Sequence, residues 1–424
     1  MRELVIVIVV LFLVSCEQEI EINDLRVIDI EGNVGKSRKI LLSEVAESIE
    51  YIPLETTENS FLGIPRRNQF IYENDLLFVC QKSDYFKIFN SNGNYLRTFN
   101  QRGNGPKEYV APNMFVIDSS AKVLSIGSAK NIVEFKITGE YIRTINFPVE
   151  ESLRGVSYND LGKIGSNYYV LSPSINTSKD NLNYSAIILD STSKTVLKIP
   201  YPKIAREFVN RLAQKKKFNG QRPPSSQITP KLFRFNNSVR IITETDEHII
   251  SVNEGLQIDT VYRLHYGKYC IKNYPDSYSI KYTDAPFLEI HGNIFESSAF
   301  LFMRFRTGKL PLKHWEYTNR DGVKMSSPVS CSYFNKETGQ FTFIDPCGLD
   351  EFGLIDDFEG GPAFWPLYIS QDDYMVNHID AFTFIQYAKT HKVSEKFKKI
   401  AAGLKESDNL VLIRVKLKGV FTKN

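Results

Sequence analysis

The side chains that most often perform chemistry are present in this sequence, but their spacing matches few known catalytic arrangements. There are six histidines, His248, His265, His291, His314, His378 and His391. None forms a His-x-His or His-x₃-His pair, so the sequence shows no ligand set for zinc hydrolysis. It also contains no Gly-x-Ser-x-Gly motif, the most recognisable serine-hydrolase arrangement. These observations favour a protein without catalysis and leave its enzymatic status open.

A cluster of carboxylates is the main candidate for metal chemistry. Asp356, Asp357 and Glu359 directly precede Gly360 and Gly361. Their oxygens could hold Ca²⁺, a hard ion that takes 6–8 oxygen ligands. Loops rich in Asp and Gly also arise from ordinary turn formation. The expectation is therefore a protein without a cofactor, with a Ca²⁺ site at these three residues as the alternative.

A second group of residues is suited to ligand binding. Trp365 and Tyr368 could offer a flat surface for a sugar ring, although aromatic residues also serve as core between sheets. A basic run could meet an anionic polysaccharide or lipid headgroups, although a solvated helix face is the favoured interpretation. The candidate ligand-binding residues are Gly360, Gly361, Trp365, Tyr368, Lys215, Lys216 and Lys217.

Composition restricts the class of protein that positions these residues. The chain has 424 residues and a formal net charge of +3, which provides no electrostatic field for nucleic acid. A hydrophobic fraction of 42% and a charged fraction of 24% are those of an ordinary globular protein. The 29 Phe and 22 Tyr favour β-structure. We expect a folded monomer that does not bind nucleic acid.

The N-terminus predicts export. Residues 4–14 form an unbroken apolar run that is too short to span a bilayer but fits the core of a signal peptide. The run ends in Leu13-Val14-Ser15-Cys16, which resembles a bacterial lipobox; an ordinary signal peptide with an accidental Cys is the alternative. We expect residues 1–15 to be a signal peptide, Cys16 to carry lipid, and residues 16–40, which begin with the acidic segment 17–24, to form a tether. The predicted location is the outer membrane, facing the periplasm or the cell surface.

Four cysteines remain after Cys16, namely Cys80, Cys270, Cys331 and Cys347. If a hairpin turn lies between Phe334 and Gln340, strand rise separates Cys331 and Cys347 beyond the reach of a disulfide. Free, buried cysteines are therefore expected, although the sequence alone leaves their redox state open.

An internal repeat determines the expected fold. Residues 75–100 and residues 121–146 align at an offset of 46 and share a turn glycine, Gly93 and Gly139, with five of its neighbours. Each copy reads as apolar strands followed by a hairpin and an alternating strand. Weaker copies of the hairpin follow near residues 187–199, 249–264 and 333–344. Four-stranded units at this spacing predict a β-propeller.

The number of units and the closure of the ring follow from the chain length. About 360 residues at 50–60 per unit give six blades, so residues 41–424 are expected to form an all-β, six-bladed propeller. Residues 48–54 precede the first full blade, and we expect them to pair with residues 410–417 of the last one. Helical insertions are predicted near residues 203–218 and 378–405, each with an apolar stripe that packs on the propeller.

These features together resemble a known family. The lipobox, residues 48–56, the segment 102–109 and the segment 359–366 are similar to the six-bladed β-propeller lipoproteins of Bacteroides-type bacteria, which are related to NHL-repeat proteins. The most specific part of the resemblance is the loop containing Gly103, Gly105, Pro106, Glu108 and Tyr109. Lys107 departs from the small residue usual at its position. The resemblance implies fold and location more than activity.

The motif loop itself has two interpretations. Two glycines before a proline allow a tight crossing between blades, with Glu108 accepting backbone N–H groups across it. A phosphate or metal site is the alternative, but the loop lacks the Lys-Ser/Thr of a P-loop.

Two functions are consistent with the sequence. The first is a non-catalytic binding module, anchored by lipid, that meets a glycan, a peptide or an outer-membrane partner. The second is a metal-dependent enzyme of the lactonase or lyase type, similar to other six-bladed propellers.

Overall fold

The computed structural model describes residues 25–63, 69–81, 84–112, 114–148, 158–173, 184–202, 230–243, 246–274, 285–319 and 321–419. In these residues the fold is a β-propeller of six blades, each built on antiparallel strands, which confirms the predicted fold class. Two α-helices occur in the described part of the chain, and neither is long and apolar enough to cross a membrane.

The described part of the chain starts with two strands that belong to later blades, β1 (Arg26–Asp29) and β2 (Ala46–Pro53). Blade 1 then consists of β3 (Gln69–Glu73), β4 (Leu76–Gln81), β5 (Tyr85–Asn90) and β6 (Tyr95–Phe99). Blade 2 consists of β7 (Met114–Asp118), β8 (Val123–Gly127), β9 (Asn131–Lys136) and β10 (Tyr141–Asn146). Blade 3 consists of β11 (Tyr158–Ile164), β12 (Tyr168–Pro173), β13 (Tyr184–Asp190) and β14 (Thr195–Pro200).

The later blades contain additions to this pattern. Blade 4 consists of β15 (Lys231–Phe235), β16 (Ser238–Ile242), β17 (His248–Val252) and β18 (Ile258–His265). Blade 5 consists of β19 (Leu288–Ile290), β20 (Phe295–Glu296), β21 (Phe300–Thr307), β24 (Val329–Asn335) and β25 (Phe341–Ile344). Between β21 and β24 a separate hairpin is formed by β22 (Trp315–Thr318) and β23 (Lys324–Ser327). Blade 6 consists of β26 (Tyr368–Ile369), β27 (Tyr374–Ile379), β28 (Val411–Leu417) and β2.

The burial of each strand follows from its place in a blade. The second strands β4 and β8 are buried along nearly their whole length, because neighbouring blades cover both faces of the sheet. The outer strands β6 and β10 alternate, with Leu96 and Ile142 exposed. The hydrophobic clusters consequently lie between adjacent blades. The period-2 pattern in the sequence therefore belongs to the outer strands, at the rim of the ring.

The repeated hairpins form as predicted. β5 pairs with β6, and β9 pairs with β10, around turns in which Gly93 and Gly139 have φ of +84° and +100°. An L-residue with a side chain rarely adopts these values, which explains why glycine occurs at both turns.

The ring closes through β2. This strand pairs antiparallel with β28 from Ala46 opposite Leu417 to Pro53 opposite Val411, which confirms the predicted closure. β2 is the outermost strand of blade 6, so Pro53 lies on an edge where a missing N–H group is tolerated. The N-terminal strand β2 and the last described strand β28 therefore belong to one sheet.

Residues 25–40 correct the predicted tether. β1 pairs in parallel with the outer strand β18, and Arg38 forms a parallel bridge to Ile344 at the end of β25. Ile28, Ile30 and Ile40 are fully buried. The segment covers strand edges that would otherwise be open, first on blade 4 and then on blade 5. The propeller thus begins at residue 25 rather than 41. The three isoleucines are the sequence feature that could have indicated this.

The helical insertion predicted at residues 378–405 is a helix pair. α1 spans Ala381–Thr390 and α2 spans Glu395–Ala402, with Ser394 accepting a hydrogen bond from the Phe397 backbone N–H at 3.0 Å. Phe397 stacks on Phe384 with ring centroids 4.0 Å apart and contacts Tyr51 of β2. The apolar stripe therefore packs on blade 6, as predicted. The insertion predicted at residues 203–218 lies outside the described residues.

Polar groups also join the blades. Lys163 of blade 3 forms an ion pair with Glu134 of blade 2 at 2.9 Å, and both side chains are almost fully buried. Arg240 of blade 4 similarly pairs with Glu296 of blade 5 at 3.2 Å. Neighbouring blades are therefore held together by buried charge pairs as well as by apolar contacts.

Candidate functional site

The main cavity of the described structure is the central channel of the ring. Its wall is formed by one inner strand from each blade, β3, β7, β11, β15, β20 and β26, with flanking residues. Each of these strands is paired on its outer side only. The cavity has a volume of about 540 Å³, within the range typical of ligand pockets. Backbone N–H and C=O groups on the free strand edges are therefore available to a ligand in the channel.

The two ends of the channel differ. We call the end at which the inner strands finish the turn face, because the chain reverses there into the second strand, as at Asn74 and Asp75. We call the other end the connection face, because the chain arrives there from the preceding blade, as in the loop from Gly103 to Tyr109. Each face thus carries a different set of loops.

The channel is crossed by hydrogen bonds near the turn face. Arg234 of blade 4 donates from Nη1 to the carbonyl oxygen of Ile117 in blade 2 at 3.0 Å. Gln371 of blade 6 satisfies its neighbours when its amide oxygen faces this guanidinium: the oxygen accepts from Arg234 Nε at 3.0 Å, and the nitrogen donates to Ser119 Oγ at 2.7 Å. Blades 2, 4 and 6 are therefore joined across the turn-face end of the channel.

Glu73 is the most strongly perturbed acid of the channel wall. Its side chain is buried, and its Oε1 accepts a hydrogen bond from Tyr368 Oη at 2.7 Å. Burial raises the pKa of Glu73 to about 7, and the Tyr368 hydrogen bond and the charge of Arg234 oppose this rise without cancelling it. Glu73 therefore changes its charge near neutral pH.

The stability of the propeller should depend on pH through Glu73. Its folded pKa is raised from the ordinary 4.5 to about 7, so its stabilising contribution is complete below pH 4.5 and is lost as the pH rises to 7. The free energy of unfolding should fall by about 3 kcal/mol over this pH range. We expect Glu73→Gln, which stays neutral and can still accept from Tyr368, to lack this loss.

Urea unfolding of both proteins between pH 4 and pH 8 measures the difference. Glu47→Gln, at an exposed position on β2, controls for the simple removal of a charge. Stability profiles that run parallel for the wild type and Glu73→Gln would show that Glu73 does not titrate in this range.

Other carboxylates of the channel wall are engaged by protein donors. Asp160 of blade 3 accepts from the backbone N–H of Leu161 at 2.9 Å and of Leu232 in blade 4 at 3.2 Å. Burial raises the pKa of Asp160 to about 6 despite these bonds. Glu296 accepts from Tyr262 Oη and Lys336 Nζ, both at 2.8 Å. These two acids hold neighbouring elements together.

Aromatic side chains also line the channel. The partly exposed aromatic residues of its wall are Phe115, Phe233, Phe235, Phe295 and Tyr368. They belong to four blades and alternate with amides such as Asn159 and Asn293. Of this set the sequence analysis identified Tyr368 alone. The signal that could have found the others is the first strand of each repeat, which forms the inner wall.

The motif loop after blade 1 is a crossing between blades. Glu108 Oε2 accepts from the Gly105 backbone N–H at 2.7 Å, as the sequence suggested. A Cβ atom on Gly103 would lie 1.9 Å from the same carboxylate oxygen, so glycine is required for this contact. Tyr109 is buried and stacks on Phe99. The loop thus bonds to itself through Glu108 and to blade 2 through the Pro106 carbonyl oxygen, which accepts from Thr144 Oγ1 at 3.2 Å.

The predicted binding residues near Trp365 are corrected by the structure. Trp365 is 3% exposed and meets Phe302 edge to face, so it packs between blades 5 and 6 and offers no surface to a sugar. A Cβ atom on Gly361 would lie 1.9 Å from Tyr51 Oη, and Gly360 has φ of +72°. Gly360 allows close contact with the segment that joins α1 and α2, and Gly361 allows close contact with Tyr51 of β2. Tyr368, in contrast, does reach the channel.

The three candidate metal ligands point to different partners. Asp356 accepts from Tyr51 Oη and the Gly361 backbone N–H, both at 2.8 Å. Asp357 accepts from Ser43 Oγ at 2.5 Å, and Glu359 accepts from Ser394 Oγ. Within the described residues these carboxylates do not converge, and no group of three metal-ligating side chains forms elsewhere. Their observed role is to fix the helix pair and residues 41–45 to blade 6.

Two other predicted sites cannot be compared with the structure. Cys16 and Lys215–Lys217 lie outside the described residues. Cys80, Cys270 and Cys331 are buried and Cys347 is half-buried, and the last three of these cysteines are free thiols.

Comparisons with known proteins extend these findings. The structure is similar to that of a Bacteroides fragilis protein described as exported, with a TM-score of 0.60 at 13% identity over 92% of this chain and 99% of that chain. A member of the DUF4221 family from Bacteroides vulgatus matches with a TM-score of 0.47 at 12% identity over 89% of this chain and 98% of that chain. At such identities the likeness concerns the fold alone. No curated protein matches the sequence. The sequence model of one family matches residues 25–416, the whole propeller, and the chain therefore belongs to the family described as domain of unknown function DUF4934.

Proposed function

We propose that this protein is an exported, lipid-anchored binding module that takes a short glycan into its central channel without converting it. The observation that carries the proposal is the channel wall, in which aromatic side chains alternate with amides and with free strand edges. A sugar presents C–H groups that contact aromatic faces and hydroxyls that exchange hydrogen bonds with amide and backbone groups. A volume of about 540 Å³ suits one or two sugar rings.

The direction of the N-terminal strand supports binding from outside the membrane. β1 is parallel to β18, an outer strand that starts at the turn face, so β1 also starts there. The chain from Cys16 therefore joins the ring on the closed side of the channel. Nine residues, 16–24, span at most about 30 Å. A lipid on Cys16 would thus hold the turn face toward the membrane and leave the connection face open to the ligand.

Export agrees with the lipobox in the sequence and with the description of the similar Bacteroides fragilis protein. A glycan ligand also suits an envelope protein better than nucleic acid does, given the net charge of +3. We also propose that the protein is related to NHL-repeat propellers, because the motif loop after blade 1 resembles theirs.

The alternative, a metal-dependent enzyme of the lactonase or lyase type, is favoured by no observation in the described residues. It is tested together with the proposal. Here the lipid-free protein denotes the chain without residues 1–15 and with Cys16→Ala. We expect it to retain one class of glycan on an array, equally in EDTA and in CaCl₂, and to release that glycan chemically unchanged in mass spectrometry.

Failure to retain any glycan would contradict the proposal. Conversion of a bound glycan or lactone that requires Ca²⁺ would contradict it in favour of the enzyme.

A further inference from the structure

A second, smaller cavity lies between blade 5 and the connection to blade 6, separate from the channel. It has a volume of about 120 Å³, and its wall includes His291, Arg304, Trp315, Ser330, Val329 and Phe352. Arg304 and Ser330 lie on the neighbouring strands β21 and β24, and Trp315 begins the inserted hairpin. The cavity is therefore built from three elements of blade 5 and the loop that follows it.

The guanidinium of Arg304 is unusual in this fold. Arg304 lies opposite Cys331 and continues the row of Phe300 and Phe302, which faces the core of blade 6. Its Nε is inaccessible to solvent and has no hydrogen-bond partner in the described structure. No ion pair of Arg304 occurs among the described residues, and its pKa is lowered by burial while the group stays cationic.

Other arginines of similar burial are paired. Arg143, Arg240 and Arg414 form ion pairs with Glu134, Glu296 and Glu50 at 2.7, 3.2 and 2.6 Å. A guanidinium removed from water without a counter-charge is destabilising. An anion that entered the cavity would offset this cost.

Two further donors face the same cavity. Trp315 Nε1 and Ser330 Oγ are both buried without a hydrogen-bond partner in the described residues. Lys313 at the rim is already bonded to Asp345 Oδ2 at 2.6 Å, so it does not compete for an anion. The unsatisfied groups thus form a set of donors around one cation, which matches an anionic acceptor.

The rest of the wall is apolar. Val329, Ile344, Pro346 and Phe352 line it, and Phe352 lies 4.8 Å from the Trp315 ring. A cavity of about 150 Å³ holds benzene, so this one, at about 120 Å³, admits a group of about five or six heavy atoms. The ligand therefore combines a negative head with a short apolar body.

We propose that this cavity binds a small carboxylic acid, with its carboxylate on Arg304 and Trp315 and its alkyl part against Val329 and Phe352. The proposal goes beyond glycan binding and does not depend on it, because the two cavities share no wall residue.

Thermal unfolding of the lipid-free protein with added salts tests the proposal. We expect sodium butyrate to raise the melting temperature more than sodium acetate does, with sodium sulfate and chloride at equal ionic strength without specific effect. Arg304→Met should weaken butyrate binding by at least about tenfold in calorimetry. Arg263→Met, on the exposed part of β18, is the matched control and should bind as the wild type does.

Arg304→Met should also be at least as stable as the wild type without ligand, because it removes a half-buried guanidinium whose Nε has no acceptor among the described residues. If it does not fold, Trp315→Phe, which removes the indole N–H and keeps the ring, should weaken butyrate binding in its place. An equal response to sulfate would overturn the assignment to a carboxylate. Absence of butyrate binding, or binding that ignores both substitutions, would overturn the site itself, whereas glycan retention by Arg304→Met would show that the channel is unaffected.

Discussion

Replacement of Lys163 by methionine should lower the free energy of unfolding by about 3–5 kcal/mol. Lys163 is 3% exposed, and its Nζ lies 2.9 Å from Glu134 Oε1 and 3.6 Å from Asp118 Oδ2. Burial alone would raise the pKa of both acids, but the charge of Lys163 and the surrounding hydrogen bonds outweigh it and lower both pKa values. Without the ammonium group two carboxylates stay buried with less compensation, so the interface between blades 2 and 3 weakens.

The dependence on pH provides a second test of Lys163. In the wild type the two lowered pKa values contribute stability above the ordinary carboxyl range, and this is lost as the pH falls through the folded values. In Lys163→Met the two acids should protonate more readily. The difference in the free energy of unfolding between the wild type and Lys163→Met should therefore become smaller as the pH falls. Urea unfolding at pH 7 and pH 4 measures it.

The matched control is Lys136→Met, which removes an exposed ion pair with Glu140 in blade 2. That change should cost less than about 1 kcal/mol. Equal effects of the two lysine substitutions would contradict the buried charge pair.

Removal of all residues before Leu54 should abolish cooperative folding of the propeller. The deletion takes away β2, with its buried side chains Ile49 and Tyr51, and exposes the edge of β28. Each such side chain contributes about 1.5–3 kcal/mol, so several together approach the whole stability of a domain. Calorimetry and near-UV circular dichroism measure the outcome.

A chain that begins at Leu25 is the control for this deletion, because it keeps β1 and β2 and should melt as the lipid-free protein does. If the chain that begins at Leu54 melts at the same temperature as this control, β2 does not close the ring.

The parts of the fold that depend on local chemistry were predictable from the sequence. Gly93 and Gly139 marked the hairpins because their turns need positive φ. Alternation along residues 48–54 identified an outer strand, and counting units then assigned it to blade 6. The capping Ser394 located α2. In each case the information lies within a few residues of the feature.

The channel could not be predicted in the same way. Arg234 and Ile117 are 117 residues apart, and Glu73 and Tyr368 are 295 apart, so their contacts exist only once the ring is closed. Trp365 was a candidate for sugar binding because of its flat ring, with core packing as the other interpretation, and the structure shows core packing. Glu359 and Gly361 of the loop before it are hydrogen-bonded to the helix pair, and Trp365 packs on Phe302 of blade 5. Whether Trp365 lies at the surface or in the core therefore depends on which blade packs against it.

The most direct test of the central claim is a calorimetric titration of the glycan selected on the array into the lipid-free wild type and two phenylalanine variants. Phe233→Ala changes the channel wall, and Phe382→Ala changes a position on α1 that is 50% exposed and distant in the chain. With unfolding transitions retained in both variants, we predict that Phe233→Ala loses at least about tenfold in affinity, about 1.4 kcal/mol, while Phe382→Ala binds as the wild type does. An affinity unchanged by Phe233→Ala, or lost on Phe382→Ala, would contradict binding in the channel.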